Sequence, residues 1–421
     1  MLEDIMSIIP SLAGSLAPAL ARTSNDAALA PLSIDIIVAS EMRNAEAALE
    51  AVASVLRTEH SYRSLTMTCS LPESVEVLGS MVVRSPKYQE KHLIQEMSLL
   101  AKVWAFARAA DEGCADGLAV VDVGAYAGHL ALMAAILLGA HVVLVDRRLP
   151  PKEFRVEENV PEPYRGRIVR IIADIAELGP RDVELLLMRR GVSRVVVVAK
   201  HLCGLGTDLA LAFMRRWSDG ARVGSRWLQA CGCNVYEVVS GVEGSGNNEG
   251  NERSSSGVTL LGAVIATCCA GKIREVDYDS FAEVHAGDMH LNSFTHQHPA
   301  RMRSLLALCA RYSAWRTATS KIIDLQVRAA ELLEDVLQQP RLNLLRRVFP
   351  AATEVAFVPV QCSPQNRCLL AGSAEGLRWA QKAAGDTAFL KALQAARQEV
   401  LMVTGGQPLH LPTASCELQH S

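Results

Sequence analysis

LAVVDVGAYAGHLALMAAILLGAHVVLVD, residues 118–146, decides the fold. LAVVDV (118–123) and HVVLVD (141–146) are short apolar runs rich in valine, broken only by their acids. Such runs suit strands covered on both faces, because no polar residue alternates outward. Between them, glycines and small residues turn the chain, and HLALMAAILLGA reads as a helix. Strand, helix and strand in this order imply parallel pairing with a right-handed crossover. Working outward, RIVRII (167–172), RVVVVA (194–199) and TLLGAVIATCC (259–269) repeat the strand pattern. TEVAFVPV (353–360) and RCLLAG (367–372) end the series, close enough for a hairpin at the sheet edge. The expected fold is α/β: a seven-stranded, mostly parallel sheet with helices on both faces and an N-terminal helical extension.

That extension covers residues 1–80. Glu41 to Arg57 has helical periodicity, with Leu49, Val52 and Leu56 in one stripe. Residues 65–83 read as one or two short strands (LTMTC, EVLGSMVV) split by Pro72, and a helix is expected from Tyr88 to Ala109. The central domain, 81–375, is interrupted at 241–257 by GVEGSGNNEGNERSSSG, a disordered insertion with nothing to build a core from. A helix-rich region is expected over 279–338. Residues 376–421 hold a C-terminal helix, read as continuous over 374–403, and a frayed tail.

Composition narrows the function. The 421 residues are 50% hydrophobic and 21% charged, which excludes a disordered protein. Aromatics at 5% are too few for a surface of stacked aromatic platforms. A net charge of -3 excludes a globally basic nucleic-acid binder and leaves room for a local basic patch. No stretch is long and apolar enough to span a bilayer, so no membrane partner is expected. Glu3 and Asp4 occupy the place of a basic leader region. The 11 cysteines are odd in number, irregularly spaced and without a CxxC pair, which points to a reduced protein of the cytoplasm or nucleus. His285, His290, His296 and His298 match no zinc spacing, and no metal is expected.

Asp122-Val-Gly124-Ala-Tyr126-Ala-Gly128 follows the first strand. A dinucleotide fingerprint needs glycines at relative positions one, three and six. Counted from Gly124, those positions hold Gly124, Tyr126 and His129, so the match fails twice. An acid at the strand end and alternate glycines instead fit the S-adenosyl-L-methionine loop of Rossmann-like class I methyltransferases, with Tyr126 replacing the middle glycine. Gly124 lets the backbone pass close to a ligand. Asp122 can order the loop and meet the positive amino-acid end of the cofactor. Asp146 ends the next strand, where a carboxylate can accept both ribose hydroxyls of an adenosine. Asp174 follows the third strand and can accept from the adenine amino group. Each acid alone also reads as a helix cap; three in step at consecutive strand ends carry the cofactor reading.

RVVVVAKHLCGLGTDLAL (194–211) crowds Lys200, His201, Cys203, Thr207 and Asp208 onto the carboxyl end of a central strand, the side that faces the ligand crevice in open α/β sheets. KHLCGLGTDLAL resembles the KHLCGxxTDLAL motif of the eukaryotic tRNA methyltransferases that modify the ribose 2′-hydroxyl of the fourth nucleotide of the acceptor stem. Lys91-His92 with Gln95 and Ser98 resembles that family's KHxxQxxS segment, and Val145-Asp146-Arg147 its second-strand acid followed by arginine. Ile172-Ala-Asp174-Ile175 resembles its DI step, and Cys268-Cys269 the start of its CCHH motif. Ala314-Trp315, Lys321 to Asp324 with Arg328, and Ser363 to Asn366 also have counterparts. The resemblance spans residues 84 to 372 and implies S-adenosylmethionine-dependent methylation of a tRNA acceptor stem, with no DNA partner.

The resemblance sets the KHLCG segment beside the transferring methyl. Lys200 is then the group that stabilises a developing alkoxide, and His201 the general base. Asp208 orients either one, or is simply a helix N-terminal acid favoured by the dipole. Cys203 reads as a small packing residue. Arg147, Arg148, Lys152 and Arg155 follow the second strand on the cofactor side and suit phosphates, as helical RNA recognition requires. Further arginines stand at Arg165, Arg167 and Arg170 and at Arg215, Arg216, Arg222 and Arg226. Three departures from the family stand out: its zinc-binding modules are missing, CCHH reads Cys268-Cys269-Ala270-Gly271, and Tyr126 sits in the loop. The lost histidines and Tyr126 motivate one alternative, an inactive RNA-binding relative; another keeps the cofactor and changes the substrate.

Overall fold

The computed structural model describes residues 66–68, 72–110, 117–200, 202, 204–220, 226–232, 235–240, 257–267, 272–285, 324–359, 362–363 and 365–411. The expectations for the N-terminal helix, the insertion, most of the 279–338 region and the tail beyond Leu411 lie outside these residues. So do His201, Cys203 and the Cys268-Cys269 pair.

The strands are β1 (Thr66–Met67), β2 (Val82–Val83), β3 (Leu118–Val123), β4 (His141–Asp146), β5 (Ile168–Ile172) and β6 (Arg194–Ala199). They continue as β7 (Arg226–Gly232), β8 (Val235–Ser240), β9 (Thr259–Ala266), β10 (Ala351–Ala356), β11 (Arg367–Gly372) and β12 (Leu409–His410). Ten form one sheet in the order β1-β10-β11-β9-β6-β3-β4-β5-β8-β7. All run parallel except β7 and β11, which are antiparallel to their neighbours. The sheet therefore has ten strands, not seven. The β7–β8 pair extends one side, and β1 extends the other. The final pair is antiparallel as expected, but β11 lies inside β10, and β1 covers β10 in turn.

The longer helices of the sheet unit begin with α1 (Pro72–Met81), α2 (Pro86–Ala109), α3 (His129–Leu138), α4 (Pro180–Met188) and α5 (Gly206–Ser218). Chain packing divides the molecule into two compact units: Leu65–Cys268 with Leu342–Ser421, and a second that includes Cys269–Arg341. The second holds α6 (Tyr278–Val284) and α7 (Asp324–Val348) as far as Arg341. The sheet unit ends with α8 (Ala374–Lys382) and α9 (Thr387–Val403). Val120, Val142, Leu144, Val196 and Val198 join one apolar cluster with residues of α2, α3 and α9. The alternating Val121, Val143, Val145, Val195 and Val197 are equally buried, and α4 packs on α5. Burial on both faces is what the unbroken valine runs require.

Two further expectations are corrected. EVLGSMVV is mostly helix: Pro72 starts α1, Glu73 sits in its first turn, and Ser74, Leu78 and Met81 make its buried stripe. Only Val82–Val83 stays extended, pairing with Leu409–His410 in a two-stranded parallel sheet. The 374–403 helix is two helices, because a 3-10 turn at Ala383–Gly385 leads to Asp386, whose side chain caps α9 by accepting the Ala388 N–H at 2.7 Å.

Candidate active site

Parallel pairing brings the ends of β6, β3, β4 and β5 side by side. Lys200 directly follows β6, Asp122 is the penultimate residue of β3, Asp146 ends β4, and Asp174 comes two residues after β5. Four sequence-predicted residues thus share one sheet edge. Asp174 Oδ1 accepts the Ala176 N–H at 3.0 Å, so it also shapes its own turn.

The loop after β3 is built on two left-handed glycines and one left-handed tyrosine. Gly124 (φ 71°) donates its N–H to Val145 O at 2.8 Å, drawing the loop toward β4. At Gly128 (φ 91°) a Cβ would stand 2.8 Å from both Leu144 and Val156 side chains, so only glycine fits. Tyr126 has φ 44°, a conformation that costs a non-glycine residue about 1–2 kcal/mol. Two charged groups hold it there. Asp146 Oδ2 accepts the Tyr126 N–H at 2.9 Å, and buried Arg170 donates to Tyr126 O at 2.7 Å. Arg170 is itself fixed by an ion pair with buried Glu157. Arg170 therefore clamps the loop from beneath and is not part of a phosphate-facing surface. A charge centred in the apolar run RIVRII is the sequence sign of that role.

Asp146 Oδ1 accepts the Arg148 N–H at 3.0 Å. Each Asp146 oxygen thus takes one backbone N–H and retains a lone pair, and the side chain is only half-buried. Two adjacent acceptors of this kind match the vicinal hydroxyls of a ribose, so the residues present fit an adenosyl group.

A second group of residues was not anticipated. Glu96 of α2 is buried and pairs with Arg84 and, at 3.3 Å, with Lys200 Nζ, while the Tyr88 hydroxyl donates to it at 2.8 Å. Burial opposes the Glu96 charge, but Arg84 first and then Lys200 hold its carboxyl well below the usual range. Tyr88 packs against His129 at 5.1 Å and His92 at 4.6 Å between ring centroids. Burial, with Arg84 and Lys200 nearby, pushes His129 down to about 4. Asp122 is pushed up to about 8, chiefly by burial and then by Asp146 and Glu96, against the pull of Lys200 and Arg170. The shift favours its neutral form. Glu96 sits among other buried polar residues of α2, Gln95, Ser98 and Lys102, so nothing in the sequence sets it apart. Ser98 belongs to a separate node, accepting from buried Lys102 at 2.9 Å.

Asp208 lies fully buried in the first turn of α5. Of the phosphate candidates, Arg147 and Arg148 are exposed. Lys152 pairs with Glu158 at 3.7 Å, and Arg155 turns inward, its Nε donating to Pro150 O at 2.6 Å. Among the described residues no His, Cys, Asp and Glu cluster could hold a metal ion, and no helix is long and apolar enough to cross a membrane.

A comparison with curated proteins yields no match. Among solved structures the chain is similar to a geranyl diphosphate methyltransferase in complex with GPP and sinefungin, at 10% identity and a TM-score of 0.26, covering 68% of this chain and 89% of that one. The family model described as Methyltransferase TRM13 matches residues 94–332, which run from α2 through the β3 loop and the KHLCG segment into α7. More than half of the sequence lies within that match, and the chain belongs to the TRM13 methyltransferase family.

Proposed function

We propose that the protein transfers a methyl group from S-adenosylmethionine to a ribose 2′-hydroxyl in the acceptor stem of tRNA. The observation that carries this reading is Lys200, a buried ammonium ion-paired to Glu96 at the sheet edge that also bears Asp122 and Asp146. S-adenosylmethionine, when bound, supplies a methyl carbon made electrophilic by its sulfonium. Asp146 holds the ribose of the adenosyl group, and the Gly124–Gly128 loop supplies the close backbone. A ribose hydroxyl is a weak nucleophile at neutral pH, so negative charge must be stabilised on its oxygen as the proton leaves. Lys200 supplies that stabilisation. Paired with a carboxylate, Lys200 stays an ammonium and cannot accept the proton. The base is then His201, next in the chain, with Asp208 orienting the pair. Arg147 and Arg148, exposed directly after Asp146, contact backbone phosphates of the stem.

Ribose-methylation mapping of tRNA incubated with the protein and S-adenosylmethionine tests the reading. The expected product is a single 2′-O-methyl group in the acceptor stem, lost on Lys200→Ala or His201→Ala with cofactor affinity retained. Unmodified acceptor stems would overturn it. Modification of a protein fraction instead would favour a different substrate, and absence of S-adenosylmethionine binding in calorimetry would favour an inactive RNA-binding relative, the role suggested by Tyr126 and the missing histidines.

A further inference from the structure

The geometry points to Glu96 as the positioning residue that fixes both the charge and the aim of Lys200. This rests on the reading of Lys200 just given. Lys200 is 6% exposed and is faced by Glu96 and Tyr88 from α2, Asp122 from β3, His129 from α3, and Arg84. Burial shifts two of these groups toward their neutral forms, Asp122 upward and His129 downward. Glu96 lies at the centre of the group and holds two cations at once: Arg84 on Oε2 and Lys200 on Oε1. The Tyr88 hydroxyl donates to the same Oε1 and fixes its direction, and the Tyr88 ring lies 5.9 Å beneath the Lys200 ammonium. Without the carboxylate, two buried cations face each other. A guanidinium keeps its proton under all working conditions, so the ammonium is the one to lose charge.

Glu96→Gln, Glu96→Asp and Arg84→Met are compared with the wild type by two readouts. The first is the pH profile of kcat for tRNA methylation. Glu96→Gln is expected to lose on the order of 10²-fold in kcat at high pH and to recover as pH falls. Glu96→Asp should recover part of the loss, and Arg84→Met, which removes the other cation from the carboxylate while leaving the Lys200 pair, should lower kcat by less than Glu96→Gln does. The second is acetic anhydride labelling of Lys200, read by peptide mass spectrometry across pH, which requires no tRNA. Lys200 should be protected in the wild type and labelled near neutral pH in Glu96→Gln. If Glu96→Gln does not fold, Glu96→Asp carries both readouts, with labelling intermediate. Identical labelling and identical profiles in the Glu96 variants and wild type would overturn the inference. A wild type that protects Lys200 but leaves tRNA unmethylated would overturn the proposed function and leave the positioning role standing.

Discussion

Two neighbouring side chains with opposite shifts give the cofactor-free protein a distinctive pH response. Asp122 has its carboxyl raised to about 8, so its contribution to stability is complete below the unfolded carboxylate value and disappears as pH rises toward 8. His129 is lowered to about 4, so its contribution is present above the unfolded imidazole value and disappears as pH falls toward 4. Between those values the two slopes oppose each other, and above the unfolded imidazole value only the Asp122 decline remains. Unfolding free energy from urea titrations should be nearly flat at mildly acid pH, then fall by on the order of 1 kcal/mol per unit toward pH 8. Asp122→Asn should remove the decline and expose the His129 rise; an unchanged curve in that variant would refute the assignment. Asp146 makes a different prediction. Asp146→Ala removes the ribose acceptor and the anchor of the left-handed Tyr126 together, so S-adenosylmethionine affinity measured by calorimetry should fall roughly 10-fold or more. An unaltered affinity would mean that the ribose is held elsewhere.

At the next scale up, the β3–α3 turn has no slack. Gly128→Ala adds a Cβ against Leu144 and Val156 in a backbone region unfavourable to alanine, and should destabilise by about 2–5 kcal/mol in chemical denaturation. Adding Val156→Ala should return only part, because the Leu144 contact and the backbone strain persist; full recovery would show that the clash was with Val156 alone. This turn was legible in the sequence because its signals are local: an apolar run, an acid, then glycines. The core strands β3, β4, β5, β6 and β9 were legible for the same reason, being valine- and leucine-rich runs with no outward polar alternation. α1 was not, since six of the eight residues of EVLGSMVV are apolar or glycine and so short a run carries no period. The β7–β8 strands, RWLQACG and VYEVVS, mix polar and apolar residues; β8 gains its identity from pairing with β5, and β7 from pairing with β8. Asp122, Asp146, Asp174 and Lys200 could be read as charges ending apolar runs. Glu96 could not, because its role exists only once Arg84 and Lys200 arrive from distant parts of the chain.

Over the whole molecule, a near-neutral charge confines any RNA contact to a local patch. Arg147 and Arg148 are exposed beside the site, whereas Lys152 and Arg155 are engaged with Glu158. Replacing Arg147 and Arg148 together by Ala should weaken tRNA binding and reduce the slope of log affinity against log salt by about 2, with S-adenosylmethionine affinity unchanged. An unaltered slope would exclude this loop from the RNA contact. The small β2–β12 sheet has a different bearing on the same assembly. β2 immediately precedes Arg84, and its partner Leu409–His410 lies at the far end of the described chain. The clip beside Arg84 therefore closes only after Leu409–His410 have been synthesised, long after Glu96 and Lys200. A nascent polypeptide halted before that strand would carry the glycine turn and every catalytic candidate, yet would lack the brace behind its buried cations, so activity should emerge late in synthesis and abruptly.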